Sequence, residues 1–311
     1  LLASARPHPL EVDSDLRPEG RQGVMSRSLA AYGEYYGRWA ALWERQALLR
    51  ARACAGDREL GGRFEELINP LRWAEGGLST QDLREIRRIK ARVETERLPR
   101  GINPVRHLKL GPGGLSDVEW SAQVLQLAHA GQITGLRTTS TIAALQAAVQ
   151  GGLLSADDGG VLVAAWILAS RLRCAIVLGT GRASGPRSQV LPVQIREIRL
   201  VGRLIGLGSG RERELEDLYR RSARHTRAVV ERIVFSDGGT HDSPPSAPTP
   251  SAPTPSASSA SPGRDRSSAA GHPAGSAKGR GEQARRTSSA AKFSRTRRSG
   301  GARPSRRPSA G

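Results

Sequence analysis

Apolar side chains recur every three or four positions through much of the first 235 residues, and they almost disappear from the rest of the chain. Between Leu83 and Val93, and again between Leu215 and Ile233, this spacing places them on one face of a helix. Short connections separate the striped segments, which predicts an all-α helical bundle over residues 77–235. Its helices are expected to begin near residues 79, 116, 139, 157, 193 and 212.

Two of these helices carry a start signal in the sequence. Ser79 with Asp82, and Ser116 with Glu119, have the spacing of a capping box, in which each side chain accepts a hydrogen bond from the other residue's backbone N–H. We therefore expect one helix to begin at each serine.

The first 76 residues begin with an acidic run. In LEVDSDLRPEG, which starts at Leu10, the acids Glu11, Asp13 and Asp15 occupy alternate positions, so a β-strand would carry all three carboxylates on one face. Like charges repel there unless a cation or a basic group joins them. Because an Arg-Pro turn and a helical pattern follow, residues 1–76 are predicted to be the end of an α/β domain.

A second pattern in this segment is aromatic. Large side chains share one predicted helix face after Ser28, namely Leu29, Tyr32, Tyr36, Trp39 and Trp43. The spacing predicts a core-facing stripe. The stretch from Leu48 to Cys54 is compatible with either a helix or a strand, and Asp57 is expected to start a further helix.

The last quarter of the chain, residues 236–311, has almost no residues that could build a core. It contains a single large apolar side chain, Phe293, so burial cannot offset the entropy of ordering the backbone. It opens on the repeat SAPTPSAPTPSA and then turns basic, with 13 Lys and Arg against 4 Asp and Glu, a net charge of +9. We expect a disordered tail. Because it lacks stacking aromatics, its composition argues against specific nucleic-acid binding.

Cysteine usage and the longest apolar run bear on the compartment. Cys54 and Cys174 are isolated thiols without metal-ligand spacing, which favours a reducing compartment and hence the cytoplasm. The run VLVAAWILAS, from Val161, is about half the length that a bilayer span needs, so it predicts a buried helix and no membrane association.

Three blocks resemble the glutamine synthetase adenylyltransferase family in both order and spacing: EVDSDLRPEGRQG with its Tyr-rich helix, WERQALLRAR with AGD, and KLGPGGLSDVEW. The resemblance runs from about Leu10 to Phe235 and implies the C-terminal, adenylylating half of a two-domain enzyme. The expected architecture is an α/β remnant of a nucleotidyltransferase domain (1–76), then the helical bundle (77–235), then the disordered basic tail (236–311).

The resemblance gives the acidic run a role. Asp13 matches the third carboxylate that holds two magnesium ions beside the triphosphate of ATP, which makes it both the expected metal ligand and a catalytic residue. From the sequence alone a solvated strand acid is an equal alternative. Asp15 stands where the family often has arginine, and its role stays open. The Gly-Ser turn and the Asp-x-Asp pair of this fold are expected ahead of Leu1, so we expect this segment not to catalyse by itself.

Three arginines are candidate contacts to the phosphates of the nucleotide. Arg17, Arg50 and Arg52 carry the guanidinium fork that suits phosphate oxygens, although such residues often pair with nearby acids such as Glu44 instead. The KLGPGG loop could also cradle phosphate at a helix N-terminus. Because acidic residues already occupy the first turn of that helix, a structural role is favoured for the loop.

The sequence is compatible with three functions. The first is magnesium-dependent transfer of AMP from ATP to a tyrosine of glutamine synthetase, with the bundle docking that protein and a PII-type regulatory protein, and with phosphorolytic deadenylylation in the other half. The second is a helical and basic binding module without catalysis. The third keeps nucleotidyl transfer but changes the acceptor, as in uridylylation of a regulatory protein. The histidines have no ligand spacing and support no alternative chemistry.

Overall fold

The structure is a computed structural model that describes residue 14 and residues 16–208, 210–212 and 214–235. This part of the chain is mostly helical. Its α-helices are α1 (Leu29–Trp39), α2 (Leu42–Leu48), α3 (Arg58–Arg72), α4 (Thr80–Glu96), α5 (Leu115–His129), α6 (Thr141–Gln150), α7 (Ala156–Thr180), α8 (Ile195–Leu204) and α9 (Glu214–Val230). Short 3-10 turns span Gly20–Gln22, Pro104–Arg106 and Thr134–Leu136, and a π-helical turn, Glu231–Phe235, extends α9.

The predicted α/β remnant is not supported by the residues that the structure describes. They contain no β-strand, and their one isolated bridge joins His107 to Val190, far from the expected strand. The acidic positions Glu11, Asp13 and Asp15 lie outside the described residues, as does the tail from residue 236. Residues 51–54, which follow α2, belong to no helix or strand in the described part of the chain.

The aromatic face after Ser28 is divided between two helices, so only part of it is buried. Helix α1 ends at Trp39 and α2 begins at Leu42, with extended backbone at Ala41. The helical period does not continue across this break. Tyr36 packs into a small core with Leu48 and Ile68, whereas Trp39 remains 70% exposed.

The six helices predicted after residue 77 are all present, and α7 lies among them as the central element. It packs against α5, α6, α8 and α9. Two cores form along it, one around Leu127, Leu145 and Leu162, and one around Leu172 and Ile176. In the described residues α7 is also the one helix long and apolar enough to cross a membrane by length and composition, yet here its apolar residues supply these cores.

One of the two predicted capping boxes is confirmed. The Ser79 hydroxyl accepts a hydrogen bond from the Asp82 N–H at 3.1 Å, and the Asp82 carboxylate accepts one from the Ser79 N–H at 3.0 Å. The second prediction is wrong, since α5 begins at Leu115 with Gly114 as its N-cap and Ser116 already lies inside the helix. The start of α5 is therefore set by the preceding glycine loop and not by a capping side chain.

A buried ionic cluster joins three helices of the bundle. Lys90 of α4 and Asp117 of α5 are 1% and 2% exposed, and the Lys90 ammonium pairs with one oxygen of the Asp117 carboxylate. The other oxygen accepts hydrogen bonds from Arg227 of α9 at 3.2 Å and from the Gly113 N–H at 2.7 Å. Glu94 accepts a further bond from Lys90 at 2.7 Å. Both charges in the interior are therefore fully partnered.

Asp117 shows how the cluster keeps a carboxylate ionised away from water. Burial on its own would raise the pKa of this carboxyl. Lys90, the Gly113 N–H and Arg227 outweigh that effect and hold the pKa below its usual range. Asp117 therefore stabilises the fold at pH values above the ordinary Asp pKa of about 3.9, and this contribution is lost as the pH falls through the lower, folded-state value.

We predict that Asp117→Asn lowers the free energy of unfolding by about 3 kcal/mol, because it leaves the Lys90 ammonium buried without its main counter-ion. Urea titration at neutral pH measures the loss, and repeating it toward pH 3 should show a shallower acid dependence in the variant. Glu96→Gln, which removes an exposed pair with Arg92, is the matched control and should leave stability unchanged. Equal stability of Asp117→Asn and the parent would contradict the role of the cluster.

Candidate functional site

The predicted metal ligand, Asp13, lies outside the described residues, so its role stays a prediction. Within the part of the chain that the structure covers, no group of three or more His, Cys, Asp or Glu side chains could hold a metal ion. The described residues therefore do not by themselves form a magnesium centre.

Arg17 holds the turn that follows the acidic run. Its guanidinium donates to the carbonyl oxygens of Ser14, Arg21 and Gly23 at 2.7 to 3.2 Å, and to the Ser14 hydroxyl at 3.0 Å. The side chain thereby ties Ser14, the residue after Asp13 in sequence, to Arg21 and Gly23. A contact to phosphate from Arg17 stays a prediction, and it would have to compete with these acceptors.

Arg50 fastens the segment after α2 to the bundle. Its guanidinium donates to the Thr139 carbonyl and, at 2.5 Å, to the Thr141 hydroxyl at the start of α6. It also forms an ion pair with Glu119 of α5 at 3.1 Å. Leu49, fully buried next to it, packs into the same core as α5 and α6. Arg50 thus bridges parts of the chain about 90 residues apart.

A buried amide pair reinforces this attachment. The Gln46 amide of α2 donates to the Gln123 side-chain oxygen of α5 at 2.6 Å, and both residues are buried. Glu44 does not pair with one of the three candidate arginines but accepts hydrogen bonds from the Tyr35 hydroxyl and from the Ala41 N–H, each at 2.9 Å. Glu44 therefore stabilises the start of α2.

Arg52 differs from the other two arginines because it is exposed at the edge of a cleft. The cleft has a volume of about 980 Å³ and lies between α3 and residues 137–139. Arg52 makes no hydrogen bond or ion pair with any described residue. Of the three predicted phosphate contacts, it is the one whose guanidinium is available to a ligand.

The other cationic side chains of the cleft are already bound to the protein. Arg72 donates to the Asn69 side chain and the Ala51 carbonyl, and burial lowers its pKa from the ordinary value. Arg137 donates to the carbonyl oxygens of Ala130 and Gly131. Since Glu65, Glu66 and Glu75 also line the cleft, it is of mixed charge and Arg52 supplies its unpaired positive group.

The KLGPGG loop serves a structural purpose, as the sequence favoured. Gly113 has a φ of +72°, and a Cβ there would lie 1.9 Å from the Ala223 carbonyl oxygen of α9. The N–H of Gly113 donates to Asp117, and those of Lys109 and Leu110 point to the His107 ring nitrogen Nδ1. With its donors used internally, the loop offers no free cradle for phosphate.

The buried cluster was not foreseen from the sequence, although one signal was present. Lys90 follows Ile86 by four positions and so falls on the apolar face of α4. A lysine on that face needs a buried counter-ion. The sequence does not say which of the acids in α5 supplies it.

Two family models match the chain in succession. One described as "Glutamate-ammonia ligase adenylyltransferase" covers residues 3–67, and one described as "GlnD PII-uridylyltransferase" covers residues 85–234. The first ends within α3 and the second spans the helices from α4 onward. The boundaries predicted at residues 76 and 235 lie close to these limits but stay predictions.

Curated relatives share about half of their aligned residues with this chain. A bifunctional glutamine synthetase adenylyltransferase/adenylyl-removing enzyme from Streptomyces coelicolor is 54% identical over 235 residues, and the one from Streptomyces avermitilis is 52% identical over 234. The chain belongs to the glutamine synthetase adenylyltransferase family. The family's enzyme from Cutibacterium acnes is 47% identical over 225 residues.

The matched region is a limited part of these family members. It covers 76%, 75% and 72% of this chain but 23%, 23% and 22% of the three relatives. The chain thus spans less than a quarter of the length of the curated family members that it matches.

We predict that Arg50→Ala lowers the free energy of unfolding by about 2 kcal/mol, because Thr139, Thr141 and Glu119 lose a shared charged donor. Chemical denaturation measures the change. Arg50→Lys keeps the charge but loses the planar fork, so it should recover only part of the stability. Unchanged stability of Arg50→Ala would show that the contacts of Arg50 do not stabilise the fold.

Proposed function

We propose that this chain serves in the transfer of AMP from ATP to a tyrosine of glutamine synthetase. The supporting observation is the 54% identity over 235 residues to an enzyme named for adenylylating glutamine synthetase and removing the adenylyl group. In this reaction the tyrosine oxygen attacks the α-phosphorus of ATP, the P–O bond to the β,γ-phosphates breaks, and pyrophosphate leaves. The phosphorolytic removal of AMP is proposed for the complete protein.

In the proposal Asp13 is a magnesium ligand beside the reacting oxygen. This assignment rests on the match between the run EVDSDLRPEG and the family's third carboxylate. Bound magnesium would neutralise phosphate charge and favour the leaving pyrophosphate. Arg17 binds the carbonyl oxygen of Ser14, the residue that follows this position in sequence.

Arg52 is proposed as the phosphate contact of the described part of the chain. Its guanidinium is exposed, lacks a partner among the described residues and faces a cleft large enough for a nucleotide moiety. Arg50 is proposed to act mainly by positioning, since three groups of the bundle already occupy it.

The partners follow from the same relationship. Glutamine synthetase is the proposed protein substrate, and a PII-type regulatory protein is proposed to act on the helices α4 to α9, where the uridylyltransferase family also matches. The cytoplasm is the proposed compartment, where both of these proteins would meet the enzyme and free ATP.

A second candidate is transfer of UMP to a regulatory protein. It is favoured by one observation, the match of residues 85–234 to the GlnD PII-uridylyltransferase family. The matched segment is helical and does not include the acidic run, so it bears on the partner more than on the nucleotide. Comparing ATP with UTP as donor separates the two candidates.

We predict that Asp13→Asn in the complete protein reduces AMP transfer to glutamine synthetase by at least about a hundredfold, as the loss of a metal ligand requires. Transfer is followed with labelled ATP, with UTP tested in parallel. Asp217→Asn, an exposed acid at the start of α9, is the matched control and should leave the rate unchanged. A folded Asp13→Asn enzyme with the parent rate would remove Asp13 from the mechanism.

We predict that Arg52→Ala raises the KM for ATP without changing the midpoint of thermal unfolding, because the side chain binds nothing in the described fold. A rise of about tenfold is expected for one charge-assisted phosphate contact. Arg63→Ala, an equally exposed arginine on α3, is the control and should keep the parent KM. An unaltered KM in Arg52→Ala would exclude this contact.

A further inference from the structure

Helix α8 presents an unusual combination of side chains on its outer side. Arginines and leucines alternate there, and all of them are exposed. Leu200 and Leu204 are 41% and 46% exposed, and Leu178, at the end of α7, is 76% exposed. The α8 surface is defined by Arg196, Arg199, Leu200, Arg203 and Leu204.

The helical spacing sorts these residues into two parallel stripes. Arg196, Arg199 and Arg203 follow one another at intervals of three and four, and Leu200 and Leu204 are four apart. The opposite side of α8 packs into the bundle through Val201, which is fully buried. The arginine stripe thus lies on the side of α8 that faces away from Val201, and the leucines beside it are partly exposed.

The leucine stripe packs against the end of α7. A Cβ placed on Gly179 would lie 3.1 Å from Leu200 Cγ and 3.3 Å from Leu204 Cδ1, so both leucines lie against the last turn of α7. The exposed Leu178 is the neighbour of that glycine in sequence. Because successive helical residues point about 100° apart, Leu178 is not aligned with this contact, and the apolar strip beside the arginines consists of Leu200 and Leu204.

The charge of the α8 surface is not neutralised within the described fold. None of its three arginines forms a hydrogen bond or an ion pair with a described residue. Glu197 is the acid of α8, and Arg182 pairs with it. Another nearby acid, Glu212, packs against Gly202 and is buried.

Exposed arginines on other helices are of two kinds: some pair with a nearby acid, and others, such as Arg58, Arg63 and Arg84, have no described partner. Arg38, Arg88 and Arg92 each pair with a glutamate one turn away on the same helix. Such pairs are the usual arrangement on a solvated helix face. The absence of paired acids along α8 leaves three aligned cations next to an apolar strip.

We propose that the α8 surface docks an acidic amphipathic helix of a partner protein. Leucine-type side chains of that helix would pack on Leu200 and Leu204, and its carboxylates would pair with the arginine stripe. A helix of ten residues extends about 15 Å, which matches about three turns of a helical ligand. This inference does not depend on the proposed function.

Charge and composition favour this occupant over others. The tail of residues 236–311 carries a net charge of +9 and would be repelled by three unpaired arginines. A nucleic acid would pair with the arginines but leave the leucines uncovered. The α8 surface contains no aromatic side chain of the kind that anchors a helix in a lipid interface.

The test uses the full chain and a fluorescein-labelled synthetic helix of about three heptads, with leucine at the a and d positions and glutamate at most others. Fluorescence anisotropy measures affinity, and hydrogen–deuterium exchange locates the bound peptide. We expect slowed exchange over residues 193–205. Arg196→Glu with Arg199→Glu and Arg203→Glu should weaken binding about tenfold or more.

Two further variants separate the apolar contribution from bulk charge. Leu200→Ser with Leu204→Ser should also weaken binding about tenfold, at unchanged net charge. Charge reversal of Arg58, Arg63 and Arg84, exposed arginines of α3 and α4 without a described partner, is the matched control and should change the affinity by less than about twofold. All substituted positions are exposed, and circular dichroism checks that each variant folds.

Several results would overturn the proposal. These are an absence of peptide binding, equal binding by the parent and the α8 variants, and equal binding of a peptide with lysine in place of glutamate. Protection of residues 193–205 by duplex DNA or by phosphatidylglycerol vesicles, but not by the acidic peptide, would assign the α8 surface to those ligands instead.

Discussion

The pairing of Lys90 with Asp117 is the interaction on which the bundle depends. Two opposite charges lie in an interior from which water is excluded, and neither could stay there alone. Their remaining hydrogen-bonding capacity is used by Glu94, Arg227 and the Gly113 N–H, so the pair fixes α4, α5, α9 and the glycine loop in one arrangement. An apolar core tolerates small shifts of packed side chains, but an internal ion pair tolerates only the arrangement in which every partner is present.

The same loop explains why phosphate recognition has to be sought elsewhere in the chain. Its glycines resemble an anion-binding turn, but close contact between Gly113 and Ala223 and the internal use of its N–H groups make it a joint between α5 and α9. By contrast, Arg52 is exposed at the edge of a cleft and has no partner among the described residues, so its guanidinium is available to a nucleotide. Arg50, two residues earlier, has the same chemistry but is held by α5 and α6.

Local signals predicted the fold where local interactions decide it. Asp57 and Ser79 cap α3 and α4 as their spacing indicated, because an N-cap needs only residues three positions apart. The prediction failed where distant contacts decide, as at the start of α5. A continuous aromatic helix was likewise wrong, because nothing in the period of three and four reveals the break after Trp39. For the site, residue types indicated which arginines suit phosphate. They could not show that Arg50 is already bound within the fold, because Thr139 and Thr141, which it contacts, lie 89 and 91 residues away in sequence.

The long sequence separation within the ionic cluster delays its completion while the chain is being synthesised. Asp117 and Arg227 are 110 residues apart, so a ribosome that adds about 5–20 residues per second needs on the order of ten seconds to deliver the second after the first. Throughout that interval α4 and α5 have emerged while the surface that α9 will cover is open to solvent. Nascent chains of this protein should therefore pass through a stage in which chaperones and proteases have access to the unfinished bundle.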